Sequence, residues 1–175
     1  VTARRANPSE ANTAVDGYGF AHASLTKGDQ VLSLVEGRAA AGVPYPGAVP
    51  PGHAVRVLTG AALPDGVDTV ILQEDVTLGD GRIAFRAGVR SGANTRRAGE
   101  DVEAGTTVLD AGRVLTPADL ALCAAVGLDD LPVFARLRVA VISTGDELIE
   151  PGAQARAGQI YDANRPMLGA LVQQM

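Results

Sequence analysis

Between Leu25 and about Val89 the apolar positions come in short runs. "QVLSLVEGRAA", "HAVRVLTGAALP", "DTVILQEDVTLG" and "GRIAFRAGV" are rich in Val, Leu and Ile, and Gly, Pro and Asp punctuate them. That is the texture of strand–turn–strand chains. "PYPGAVPPG" is a proline-rich loop incompatible with a helix. "LGDGRIAF" carries the Asp-Gly of a tight hairpin, because Gly tolerates positive φ. The segment predicts a small barrel or sandwich. Before it, residues 1–24 are polar and then small. They read as an arm ending in a turn at Asp16-Gly17-Tyr18-Gly19, with Tyr18 packed in the turn.

The pattern changes after residue 90. Residues 90–115 are irregular, and "TPADLALCAAVGL" then predicts a helix over 117–126. Thr116 suits its N-cap, Pro117 its first turn, and Asp119 its positive end. Leu120, Cys123, Ala124 and Gly127 fall on one side, and Gly127 can end the helix in the left-handed conformation. Residues 129–136 are a linker. "LRVAVIS" predicts a buried strand over 137–143, and "DANRPMLGALVQQM" a helix from about 165, capped by Asn164 with Pro166 in its first turn. Strand, loop and helix open a doubly wound α/β domain. The residues present are too few to close its core. With Val1 in place of Met, the chain is expected to be part of a longer protein.

Composition narrows the partners. Only 3% of residues are aromatic and none is Trp, so the core must come from Val, Leu, Ile and Ala. A net charge of −5 argues against a general nucleic-acid binder, which needs a basic face. An anionic ligand would need local arginines or a metal ion. The single cysteine, Cys123, excludes an internal disulfide and a multi-cysteine metal site. On the apolar side of its helix it is expected to be packed rather than reactive. A cytoplasmic location is expected. No apolar run approaches a membrane span.

Four acidic turns carry the candidate chemistry: Asp16 in "VDGYGF", Glu74-Asp75 in "ILQED", Glu100-Asp101 in "RRAGED" and Asp146-Glu147 in "STGDE". Acids in turns are commonly solvated surface, and Glu74-Asp75 reads as the end of a strand. "STGDE" differs, because ligands in open α/β sheets bind beyond the carboxyl ends of strands. Gly145 would let backbone approach a ligand, and Asp146 and Glu147 offer hard oxygen donors suited to Mg²⁺. Arg96 and Arg97 have two readings, a surface ion-pair cluster and an oxyanion contact. Thr59 in "LTGAALPDG" either caps a turn or bonds a ligand. No catalytic Ser-His-Asp set, P-loop or dinucleotide fingerprint is present.

"TAVDGYGF", "VLTGAALPDGVDTVILQED", "NTRRAGEDVEAGTTVLDAGRVLTPADLALCAAVGL" and "RVAVISTGDELIEPG…GQIYDANRPML", in this order, resemble the molybdopterin molybdenumtransferases, the MoeA and gephyrin E-domain family. The resemblance runs from about Asn12 to the end of the chain. It implies a multidomain α+β fold: an elongated helical and linker domain (1–24 and 95–135), an inserted all-β domain (25–94), and the start of a MogA-like α/β molybdopterin-binding domain (136–175). It implies Mg²⁺-dependent insertion of molybdate into adenylylated molybdopterin with release of AMP, in a homodimer whose cleft is shared between subunits. A molybdopterin adenylyltransferase would act upstream and molybdoenzymes downstream.

By the same resemblance, Asp16, Thr59, Asp101 and Glu147 are functional positions. Asp146, Arg97 and Gly145 stand with them as ligand contacts, and Glu147 and Asp101 as metal ligands. Thr13, Val15 and Gly19 depart from the family's usual residues, small changes that keep the turn chemistry. The 175 residues alone are expected to be inactive. The rival reading is a non-catalytic scaffold or dimerisation module of the same fold.

Overall fold

The β-rich runs form a six-stranded sheet in the first of two units, Val1–Leu131; the second begins at Pro132. The computed structural model describes residues 1–174. The strands of the first unit are β1 (Asn12–Thr13), β2 (Gly17–Phe20), β3 (Gln30–Ala39), β4 (His53–Val57), β5 (Thr69–Leu72), β6 (Thr77–Gly79), β7 (Arg82–Phe85) and β8 (Thr95–Arg96). The large sheet runs β5-β2-β4-β3-β7-β6. Its neighbours are antiparallel except β3 and β4. A parallel pair needs a long crossover, which residues 40–52 and their prolines supply. The predicted hairpin joins β6 to β7 through Asp80 and Gly81, at φ 47° and 69°. The end strands β5 and β6 do not pair, so one open sheet replaces the expected barrel or sandwich.

The largest departure from expectation is "DGYGF". Gly17–Phe20 is no turn but a fully buried strand between β4 and β5. Its alternation of glycine and aromatic explains the placement. Tyr18 and Phe20 enter one apolar cluster with Leu32, Ala54, Ile71, Ile83 and Phe85. The rings of Phe20 and Phe85 stack with centroids 5.3 Å apart. On the other face, Val55, Val57, Val67 and Val70 form a second cluster. Gly17 and Gly19 leave that face room to close. A Cβ on Gly19 would sit 2.7 Å from Val67 Cγ1, and one on Gly17 only 2.0 Å from the Ile71 carbonyl oxygen. The strand is thus buried on both faces.

Residues 1–9 run back along the segment after β8, with bridges Thr2↔Thr107 and Asn7↔Val102. The amides of Arg4 and Arg5 both donate to the Val126 carbonyl, at the end of helix α1 (Pro117–Ala125). The predicted helix is present, with Thr116 as N-cap. Thr116 Oγ1 accepts the Asp119 N–H, and the Asp119 carboxylate accepts the Thr116 N–H and hydroxyl. Cys123 is buried and Gly127 takes φ 82°, but Leu120 and Ala124 are exposed, and Val126 is buried with Cys123 instead.

Asp119 is buried, and Arg113, followed by the Thr116 donors, lowers its carboxyl to about 2 from the usual 3.8. A carboxyl depressed in the folded state adds stability above its unfolded value and loses it as pH falls toward the folded one. The stability from Asp119 is therefore present above about pH 4 and lost toward about pH 2. Asp119→Asn is expected to remove that part of the acid dependence, read from urea midpoints across the range. Thr116→Ala is expected to cost about 1 kcal/mol near neutral pH.

In the second unit the predicted strand over 137–143 is absent, and Leu137 and Ile142 are exposed. A strand buried on both faces needs neighbours for its N–H and C=O groups. Among the described residues none runs beside it. The strands present are β9 (Leu148–Ile149) and β10 (Ile160–Tyr161), paired in parallel. Helix α2 (Asn164–Gln174) follows, close to its predicted start. Asp162, rather than Asn164, meets its first turn: the Asp162 carboxylate accepts the Arg165 N–H at 3.0 Å. Ser143, then the Arg165 amide, holds its carboxyl below the usual carboxylate range. Arg165 also pairs with Glu150. No helix among the described residues is long and apolar enough to cross a membrane.

Candidate functional site

Asp16 stands at the entry to β2, and antiparallel pairing of Gly17 with Val57 sets it across from the exit of β4. There the chain turns through Leu58–Ala61, closed by the Ala61 N–H on the Leu58 carbonyl. Gly60 holds φ 78°, which a type II turn requires at its third position. The turn aims Thr59 at Asp16. The Thr59 N–H and hydroxyl both donate to Asp16 Oδ1 at 2.7 Å, across 43 residues of sequence. These two bonds, the amide first, with Arg56 nearby, keep the Asp16 carboxyl below its ordinary value. The clasp occupies Oδ1 and leaves Oδ2 without a hydrogen bond among the described residues.

Thr13 delivers Asp16 to this place. It is buried, its hydroxyl donates to the Val15 carbonyl at 2.7 Å, and its backbone exchanges bonds with Gly60 and Ala61. The same strand, β1, pairs on its other side with β8, Asn12 opposite Arg96. One short strand therefore joins the Thr59 turn to the "RRAGED" loop.

In that loop Arg96 binds Glu100 at 3.0 Å and Asp101 at 2.5 Å, while the Arg97 N–H donates to Glu100. The two acids raise the Arg96 guanidinium further. The Arg97 amide, then Arg96, lowers Glu100. Of the two readings of the arginines, Arg96 follows the ion-pair one. Arg97 is exposed, and its side chain makes no ion pair among the described residues.

"STGDE" belongs to the second unit. Asp146 and Glu147 are exposed. Glu147 folds back over Gly145: a Cβ at 145 would lie 2.6 Å from one Glu147 carboxylate oxygen and 2.8 Å from the other. Gly145 thus makes the cradle that Glu147 fills. Two adjacent exposed carboxylates are hard donors of the kind Mg²⁺ takes while keeping water and phosphate ligands. They fit that ion as partial ligands. No three His, Cys, Asp or Glu side chains gather as a metal cage among the described residues. Asp101 fits a metal less well, since its Oδ1 already holds Arg96.

The structure brings Asp16 to Thr59, and Asp101 to Arg96 and Glu100. Glu74 and Asp75 lie in a short 3₁₀ turn after β5. Arg56 and Gln73 were missed in the sequence: Arg56 donates to the Tyr18 hydroxyl at 3.3 Å and to Gln73 Oε1 at 3.1 Å. The available signal was a cation within "HAVRV", between valines that bury one face of the strand.

A mixed α+β chain presenting polar clasps at the ends of a central sheet is the class these features define. A family model described as the MoeA N-terminal region (domain I and II) matches residues 1–127, and the chain belongs to that family. It is 44% identical over 170 residues to a molybdopterin molybdenumtransferase of Haemophilus influenzae, covering 96% of this chain and 41% of that protein. It is 43% identical over 165 residues to molybdopterin molybdenumtransferase 2 of Mycobacterium tuberculosis, covering 92% of this chain and 40% of that one. A crystal structure of the molybdopterin biosynthesis MoeA protein from Pyrococcus horikoshii superposes with a TM-score of 0.90 at 31% identity, over 99% of this chain and 45% of that one. The chain spans about two fifths of the length of these curated relatives.

Proposed function

We propose that the chain serves molybdenum cofactor synthesis as part of a molybdopterin molybdenumtransferase, which inserts molybdate into adenylylated molybdopterin and releases AMP. The observation that carries this reading is the Asp16–Thr59 clasp. Two motifs far apart in sequence meet on one carboxylate oxygen and leave the other open. The family match supports the same reading.

In this account Asp16, kept ionised by Thr59, orients a donor group of the substrate or of bound water through Oδ2. Arg96 holds Asp101 at the edge of the cleft, and Arg97 offers a free guanidinium to substrate oxyanions. Glu147, with Asp146, would hold Mg²⁺, and the ion would supply charge neutralisation at the phosphate bridge of the substrate. The clasp of one subunit serves the "STGDE" loop of its partner in a homodimer. The adenylylated substrate comes from an adenylyltransferase, and the product goes to molybdoenzymes.

In the full-length protein, Glu147→Ala is expected to lower molybdate-dependent AMP release by about a hundredfold. Unchanged release would withdraw Glu147 from the reaction. A protein that binds the substrate but releases no AMP would favour the scaffold reading.

A further inference from the structure

Across the large sheet, Ile71, Tyr18, Arg56 and Arg38 stand in register on β5, β2, β4 and β3. Directly opposed residues on neighbouring strands share a face. Tyr18 and Ile71 assign this row to the aromatic face. The neighbouring pair Ala39 and Val57 falls into the valine cluster on the other face, as alternation requires. A bulge between Leu34 and Arg38 sets this register. Two arginines therefore stand side by side on one face.

Like charges placed opposite each other repel. Among the described residues four arginines have carboxylate partners, Asp129 for Arg4, Asp101 for Arg96, Asp119 for Arg113 and Glu150 for Arg165, while Arg5 donates to the Ser9 hydroxyl. Arg56 is held differently. Its partners, the Tyr18 hydroxyl and Gln73 Oε1, are neutral, and its guanidinium carbon lies 5.9 Å from the Tyr18 ring centroid. They fix the group in place without discharging it, and they use two of its five N–H donors. Arg38 makes no ion pair or side-chain hydrogen bond among the described residues. Asp16 is an anionic neighbour of Arg56, but it makes no ion pair with it and its Oδ1 takes both Thr59 donors. Glu74 is tied to the Gln73 amide at 3.2 Å.

We infer that Arg38 and Arg56 form an oxyanion subsite on the aromatic face of the sheet, taking a phosphate group either free or carried on a larger ligand. Two guanidinium forks on adjacent strands suit the several oxygens of a phosphate, and bound anion relieves their repulsion. The inference stands apart from the proposed transfer reaction, because binding alone reads it out.

The experiment is calorimetric titration of the protein, in phosphate-free buffer, with inorganic phosphate and separately with AMP. Phosphate is expected to bind and to raise the melting temperature, and Arg38→Gln to weaken binding at least about tenfold. Arg38 is exposed and its charge opposes that of Arg56, so Arg38→Gln should raise the unliganded melting temperature slightly while it weakens phosphate binding. Arg56→Gln should weaken binding as much, and Arg38→Lys should restore part of it. Arg82→Gln, on β7, should change nothing. Equal affinity for phosphate and AMP identifies a free oxyanion as the ligand; tighter AMP binding identifies a phosphate carried on a larger molecule. Absence of millimolar binding, or binding that survives both glutamine variants, overturns the inference.

Discussion

Gly17→Ala is expected to destabilise the first unit by about 3 kcal/mol or more, a large part of the roughly 5–15 kcal/mol that holds a domain together. The added Cβ would sit 2.0 Å from the Ile71 carbonyl oxygen. A side chain could rotate away, but this oxygen belongs to the backbone of β5. Relief requires β5 to move off β2, and the antiparallel ladder from Gly17↔Leu72 to Phe20↔Thr69 moves with it. Gly19→Ala should cost less, about 1–3 kcal/mol, because its obstacle is the Val67 side chain. Gly79→Ala meets nothing within 4 Å and should be near neutral. Urea unfolding of the three variants gives the order directly. Equal midpoints for Gly17→Ala and Gly79→Ala would refute the account of β2.

Asp16→Ala should act in the opposite way, with little effect on stability and a large one on turnover. The clasp with Thr59 is exposed, so its loss should leave the urea midpoint close to wild type. If Oδ2 orients a reacting group, AMP release in the full-length protein should fall about a hundredfold. Asp16→Asn keeps an acceptor for Thr59 but not the charge, and should fall nearly as far. Thr59→Ser keeps both donors and should stay close to wild type, whereas Thr59→Val keeps only the amide and should lose part of the rate. A destabilised Asp16→Ala protein with full turnover per folded molecule would make the clasp a turn device only.

Much of the sheet was legible because its strands obey local rules. The Asp-Gly of the β6–β7 hairpin and the Thr-Pro-Ala-Asp start of α1 each act within a few residues. The misreadings share one cause: the deciding partner lies far away in sequence. "DGYGF" looks like a turn until Val57, Val67 and Val70 are there to fill the space its glycines leave. "RVAVIS" looks like a buried strand, but hydrophobicity cannot create the neighbouring strands it needs.

The candidate site divides in the same way. The motif acids were legible from residue type and resemblance. The Asp16–Thr59 contact depends on strand pairing, and Arg56 becomes visible only once Tyr18 and Gln73 flank it.

The central proposal is that the clasp of one subunit works with the "STGDE" loop of another. Mixing Asp16→Ala and Glu147→Ala full-length proteins, with subunit exchange, tests it most directly. Half of the dimers would be mixed, and each would carry one intact site of two, so AMP release should recover to about a quarter of the wild-type rate. If no activity returns although mixed dimers form, both residues serve a site within a single chain, and the shared cleft is wrong.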